Sequence, residues 1–360
     1  MADPVSEHIA ALSDEDWAVR EDAATALGTL KDSRAVPALI SALRDSDRAV
    51  REAAMAALSA IGEPSVPALG ACLTDAELRV QEAASSVLAG LADGRVFEPV
   101  VAALSSPDWI VRMHAAKALG RIGDPAAVPA LMPLLQDKVK AVREEAAVAL
   151  AAIGEAAVPS LIEALRHDEW LVRLHAVEAL GKLKSSEAVE PLLFVLFNDR
   201  DSAIREDVVR SLGLIGDGRA VEFLFTVLKE PGLRPIAVEA LGKIGDRRAV
   251  PVLRAIVEGA QQAEYHRPIA GCASEWTEDM QTMGLAARAL GMIADEGAIP
   301  SLVSALRNTV TRAEAAAALT RFGAKVVPSL LPMLTREQDE NIRYHVRETL
   351  TAVGWRPGRV

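Results

Sequence analysis

Apolar and polar positions along the chain fall into two alternating kinds of segment. The first reads acid, variable, small, Val, Arg, then Ala-rich, and closes on Leu-Gly. Its clearest copies are Asp16 to Gly28, Asp47 to Leu58, Asp108 to Gly120, Val142 to Leu150, Glu169 to Gly181 and Asp201 to Gly213. Weaker copies end at Leu88, Gly242, Gly291, Leu319 and Leu350. The arginine column falls at positions 20, 51, 112, 143, 173, 205 and 234, with Gln81 in its place once, a period of about 31 residues. The second kind of segment is typified by Ala35-Val36-Pro37-Ala38-Leu39-Ile40-Ser41-Ala42-Leu43. It recurs around Pro67, Pro99, Pro129, Pro159, Pro191, Pro251, Pro300 and Pro328.

Both segments place apolar residues at i, i+3 and i+4, the stripe of an amphipathic helix. Proline in a first turn removes an N–H that has no helical partner there. Gly62, Gly123, Gly154, Gly216, Gly245, Gly323 and Gly354 stand where the longer segments end, and glycine tolerates the left-handed conformation of a helix C-terminus. No sustained period-2 alternation of β-branched residues occurs. Each unit is therefore a short helix A, a turn, a longer helix B and a glycine turn. Such a pair cannot bury its apolar face alone, so neighbours must stack into one continuous core. The pattern predicts an all-α chain and a single array over residues 1–360. It is interrupted in the ninth repeat by an insertion at about residues 259–277 that carries Tyr265, His266, Arg267, Cys272 and Trp276.

Composition narrows the function classes. The chain has 360 residues, 51% hydrophobic but only 4% aromatic, which suits closely packed, Ala-rich helices. Its formal net charge of −11 argues against general nucleic-acid binding, which needs an excess of Lys and Arg, and is compatible with a basic partner. Cys72 and Cys272 form no CxxC motif, as expected for a reducing compartment. The first residues lack the character of a signal peptide, and no apolar run approaches a membrane span. A cytoplasmic protein with no membrane association is expected. Gly213 to Gly218 is glycine-rich, but it follows a helix instead of a strand and is no phosphate loop.

The motif Asp-x-x-Val-Arg-x-x-Ala-Ala-x-Ala-Leu-Gly-x-Ile-Gly-Asp followed by Ala-Val-Pro-x-Leu is nearly complete over residues 108–137. It resembles the HEAT repeat of the phycobilisome-lyase-like class over nearly the whole chain. The resemblance implies a right-handed α-solenoid of about eleven helix pairs. In this class helix B lines the concave surface. The same repeat serves adaptors, chaperones, chromophore lyases and a few enzymes, so function must be argued from sites.

The arginines at positions 20, 51, 112, 173 and 205 each follow an acid by four residues, which reads as a structural ladder of i, i+4 pairs. The variable helix-B positions are the candidate partner surface. Three residues before the arginine column stand Trp17, Arg48, Leu78, Trp109, Lys140, Trp170 and Ser202. Two after it stand Asp22, Ala53, Ala83, His114, Glu145, His175 and Asp207. Trp109, Met113 and Lys117 share one helix line, as do Trp170, Leu174 and Glu178. Large aromatics at variable positions of an aromatic-poor chain are the strongest interface signal, because Trp and Arg dominate binding hot spots. The expected contact set is Trp17, Arg48, Trp109, Met113, His114, Lys117, Glu145, Trp170, Leu174 and His175, together with the insertion residues.

No metal site is expected at His114, Glu145 and His175, since aligned residues of neighbouring helices stand about 10 Å apart. No cofactor is expected either. The leading function is a non-catalytic scaffold or adaptor for a protein or peptide. A bilin-lyase-like enzyme or chaperone acting on a protein is the alternative. A HEAT-like DNA glycosylase fits the tryptophans but not the charge. An iron hydroxylase of the deoxyhypusine type would need His-Glu pairs, which the sequence lacks.

Overall fold

A computed structural model describes residues 3–91, 97–263 and 278–356. These residues are helical, with short 3-10 turns, and no strand occurs among them. The chain divides into two compact units, Met1–Leu183 and Lys184–Val360.

The first unit holds α1 (Pro4–Ala11), α2 (Trp17–Leu30), α3 (Val36–Ala42), α4 (Arg48–Ile61), α5 (Val66–Cys72) and α6 (Leu78–Leu91). It continues through α7 (Phe97–Ala103), α8 (Trp109–Ile122), α9 (Val128–Leu131), α10 (Lys140–Ile153), α11 (Val158–Ala164) and α12 (Trp170–Leu183). The second unit holds α13 (Val189–Asn198), α14 (Ser202–Ile215), α15 (Val221–Val227), α16 (Arg234–Ile244) and α17 (Val250–Ala263). Its remaining helices are α18 (Glu278–Ile293), α19 (Ile299–Ala305), α20 (Arg312–Thr320), α21 (Val327–Arg336) and α22 (Glu340–Ala352). Odd-numbered helices are the A members of each pair and even-numbered helices the B members. Within each unit successive B helices pack on one another, as α8 on α10 and α14 on α16.

The helix boundaries follow from local chemistry. Asp16, Asp47, Asp108 and Asp201 are N-caps whose carboxylates accept from the backbone N–H of Ala18, Ala49, Ile110 and Ala203. The predicted terminal glycines all take positive φ, from +60° at Gly323 to +92° at Gly154. Lys31, Lys184 and Ala294 take the same left-handed conformation without being glycine, at φ 52°, 57° and 54°.

The core is built from the Val and Leu columns of the B helices. Val50, Val111 and Val142 are fully buried, as are Leu58, Leu119, Leu150, Leu212 and Leu241. Burying each such side chain stabilises the fold by about 1.5–3 kcal/mol. Small residues set the spacing between B helices. A Cβ placed on Gly120 would lie 2.7 Å from the Ala149 Cα, and one on Gly213 would lie 2.8 Å from the Ala240 Cα. Glycine is required there because two backbones meet directly.

Helix α17 extends to Ala263 and so takes in the first residues of the predicted insertion. Tyr265, His266, Arg267, Cys272 and Trp276 lie outside the described residues.

Candidate functional site

The aspartate caps fix the surface that follows them. The residue after each cap opens a B helix and is exposed, and so are Leu78, Lys140 and Trp170, which open α6, α10 and α12 after Glu77, Val139 and Glu169. In the first unit these opening residues form one row: Trp17, Arg48, Leu78, Trp109, Lys140 and Trp170, all exposed. Trp17 is 48% exposed, Leu78 47%, Trp109 41% and Trp170 45%, so none of the three tryptophans is sealed between layers. The two cations in the row are paired one turn on, Arg48 with Glu52 at 2.7 Å and Lys140 with Glu144 at 3.4 Å. On the same line as Trp109, Met113 is half-buried and Lys117 is exposed; Leu174 is half-buried beneath Trp170.

The neighbouring column behaves differently. His175 is 3% exposed, so it offers no surface to a partner. Its position turns toward the preceding B helix: Arg143 Nε on α10 donates to His175 Nε2 at 3.2 Å. That bond leaves the proton on Nδ1, which donates to Glu178 Oε2 at 2.9 Å. The histidine bond holds the Glu178 carboxyl below its ordinary range, outweighing burial. His114 is half-buried and bridges back to α6, with Nδ1 3.2 Å from Ser85 Oγ. Burial, reinforced by Lys117, pushes its imidazole down and favours the neutral form. Glu145 is also half-buried. The His114 and His175 side chains thus tie successive B helices together, and the contact role expected for His175 does not stand.

The arginine column is a ladder, but its rungs differ from the expected i, i+4 pairs. Four of the acids four residues earlier, Asp16, Asp47, Asp108 and Asp201, are occupied as N-caps. Arg20 instead reaches Asp45 in the next repeat at 2.7 Å, Arg112 reaches Asp137 at 2.7 Å and Arg205 reaches Glu230 at 2.6 Å. The guanidiniums also cap carbonyls of the preceding turn, as Arg112 Nη1 does at Ser106 and Pro107. Burial pushes Asp137 up, yet the Arg112 bond, the Val139 N–H and the Arg112 charge together hold it below its usual range.

Beside the exposed row, α4, α6 and α8 enclose a shallow open depression of about 470 Å³. Arg48, Arg51, Met55, Arg79, Glu82 and His114 line much of it. Of these, Arg48 and His114 belong to the contact set expected from the sequence, and Arg51 to the arginine column. Met55, Arg79 and Glu82 occupy positions where other repeats also carry ordinary helix formers, so nothing in the pattern marks them. Burial, followed by the nearby Asp108 carboxylate, raises the Glu82 carboxyl. No cluster of three or more metal-ligating side chains occurs among the described residues.

Models of HEAT repeats match the chain over residues 5–89, 66–151, 97–169, 139–196, 189–267 and 277–351. The chain is a HEAT-repeat protein. It is 31% identical over 153 residues to the phycocyanobilin lyase subunit alpha of a Picosynechococcus species, an alignment covering 39% of this chain and 57% of that one. It is 38% identical over 96 residues to a deoxyhypusine hydroxylase of Neurospora crassa, covering 25% of this chain and 30% of that one. The chain thus spans little more than half, or less, of these two relatives. Yeast importin-β superposes with a TM-score of 0.63 at 14% identity, over 97% of this HEAT-repeat chain and 57% of importin-β. At that identity the likeness concerns the α-solenoid fold alone.

Proposed function

We propose that this chain is a non-catalytic scaffold that holds a partner protein or peptide against the B-helix face of its first unit. The observation that carries the reading is the row of opening residues, in which Trp17, Leu78, Trp109 and Trp170 stand 41–48% exposed with Arg48 and Lys140 between them. With row positions about 10 Å apart, Leu78 and Trp109 are neighbours and Trp17 and Trp170 lie about 20 Å further out on either side, which suits an extended segment or a helix that places apolar side chains at those intervals. The formal charge of −11 favours a partner with basic residues at the rim.

The test is a pull-down with the wild-type chain and a Trp109→Ala/Trp170→Ala variant. A stoichiometric protein retained by the wild type and lost by the variant supports the reading. Equal retention by both refutes it. The similarity to a phycocyanobilin lyase subunit favours one second reading, a lyase-type role on a protein substrate. Co-purification of a coloured tetrapyrrole in the same experiment would favour that alternative.

A further inference from the structure

The second unit exposes aromatic residues on its A helices. Phe194 is 63% exposed, Phe197 44% and Phe223 41%, and the Phe197 and Phe223 rings lie 6.1 Å apart. The chain has six phenylalanines, and four of them, counting Phe225, sit on α13 and α15. The repeat register shows how unusual this is. The position of Phe194 is Ser41, Ala71 and Ala102 in earlier repeats and Thr226 in the next. The position of Phe197 is Arg44, Thr74 and Ser105 earlier and Lys229 in the next. That of Phe223 is Ala38, Ala68 and Ala130 elsewhere. Packing of the repeat does not call for large side chains at these three positions, because the other repeats stack without them.

The charges around this patch are ordered along the helices. Glu190 and Glu222 occupy equivalent places near the N-termini of α13 and α15. Arg219 and Arg248 are nearby but already engaged. Arg219 binds Asp217 and the Ser186 carbonyl, and Arg248 binds Asp246 and the Gly218 carbonyl. Glu222 lies 3.6 Å from Arg248 Nη1, yet its side chain remains 64% exposed. At the other end, Arg200 and Lys229 are exposed just beyond the C-termini of the same two helices. The patch therefore runs acidic, aromatic, basic.

We propose that this face is a self-association surface, on which two copies of the chain pair about a two-fold axis passing near the phenylalanines. An isologous contact requires a patch complementary to itself after a half-turn. Here the half-turn lays Phe194, Phe197 and Phe223 of one copy on those of the other. It also sets the Glu190 and Glu222 end against the Arg200 and Lys229 end. An unrelated partner would need no such polarity. The phenylalanine surface available is on the order of 300 Å² per copy. That is less than half of a standard interface, so the phenylalanines can form only the core of a small, weak one.

Sedimentation velocity of the full chain from about 1 to 100 µM tests this. The weight-average mass of the wild type rises with concentration toward twice that of the monomer. A Phe194→Lys/Phe197→Lys variant stays monomeric throughout with an unchanged thermal melt. The milder Phe194→Thr, which copies the residue of the next repeat, weakens association several-fold. Lys229→Glu also weakens it, and combining it with Glu222→Lys restores it, since the half-turn brings the two swapped charges together. A wild type that remains monomeric overturns the proposal, including one whose patch captures a different protein. So does a dimer indifferent to the phenylalanine substitutions, or one that the charge double swap fails to restore. None of these residues lies on the B-helix row of the first unit, so this proposal and the scaffold reading fail independently.

Discussion

The two units are built from the same helix pair, yet among the described residues the first exposes its large apolar side chains on B helices alone, whereas the second, beside Leu214, Met292 and Tyr344 on B helices, also exposes an aromatic cluster on A helices. In the first unit these side chains include the opening residues of B helices, Trp17, Leu78, Trp109 and Trp170. The second carries its aromatic cluster on A helices, at Phe194, Phe197 and Phe223. Its own B helix α14 opens on Ser202. The interior columns of Val, Ala and Leu are shared by both. The lesson is that a repeat separates what must be constant from what is free to vary. The apolar stripe and the Gly–Ala contacts fix the stacking, and the remaining faces can be spent on recognition at either helix.

The largest expected effect tests what the units share. Gly120→Val in the first and Gly213→Val in the second each drive a branched side chain into the backbone of the next B helix, at Ala149 and Ala240. Each should destabilise the chain by about 3 kcal/mol in urea unfolding. Unequal losses would show that the two stacks are not packed alike.

The ladder should distinguish the units at a middle level. The Arg112 and Asp137 side chains are only 9% and 11% exposed, whereas Arg205 and Glu230 are 24% and 39% exposed. Arg112→Met leaves Asp137 partly buried without its cation, and should cost about 2 kcal/mol. Arg205→Met should cost about 1 kcal/mol or less, because solvent screens the more open pair. Equal effects would mean that the carbonyl bonds, and not the ion pairs, carry the arginine column.

The smallest effect expected is a gain. Lys31 and Lys184 end B helices in the left-handed conformation that glycine adopts in other repeats. Lys31→Gly and Lys184→Gly should each raise stability by about 0.5–1 kcal/mol, read as a shift in urea midpoint.

Much of the fold was legible because its determinants are local. Asp108 before a Val-Arg segment, Pro129 in a first turn and Gly123 after Ile122 each mark a helix end by chemistry that acts within a few residues. The arginine ladder was legible as a ladder but not in its partners. Asp108 lies on the correct helical line for Arg112, yet its carboxylate is taken by the Ile110 N–H. The true partner, Asp137, is 25 residues away and is brought close only by stacking. His175 failed for a similar reason. Its variability in the repeat suggested exposure, whereas its side chain is matched to Arg143 of the preceding helix. Phe194, Phe197 and Phe223 were visible in the register all along, but on the A helices, where the expected binding face did not lie.

The Gly213–Ala240, Gly242–Ala289 and Gly291–Ala318 contacts give α16 and α18 each a bare notch on one flank and a single methyl on the other. Two helices from distant parts of the chain could meet by the same fit. A stretch of about 31 residues could therefore be copied or deleted in frame without redesigning the interior on either side. What would change is the spacing between surface residues, so arrays of this kind can alter their length, and with it their choice of partner, by recombination alone.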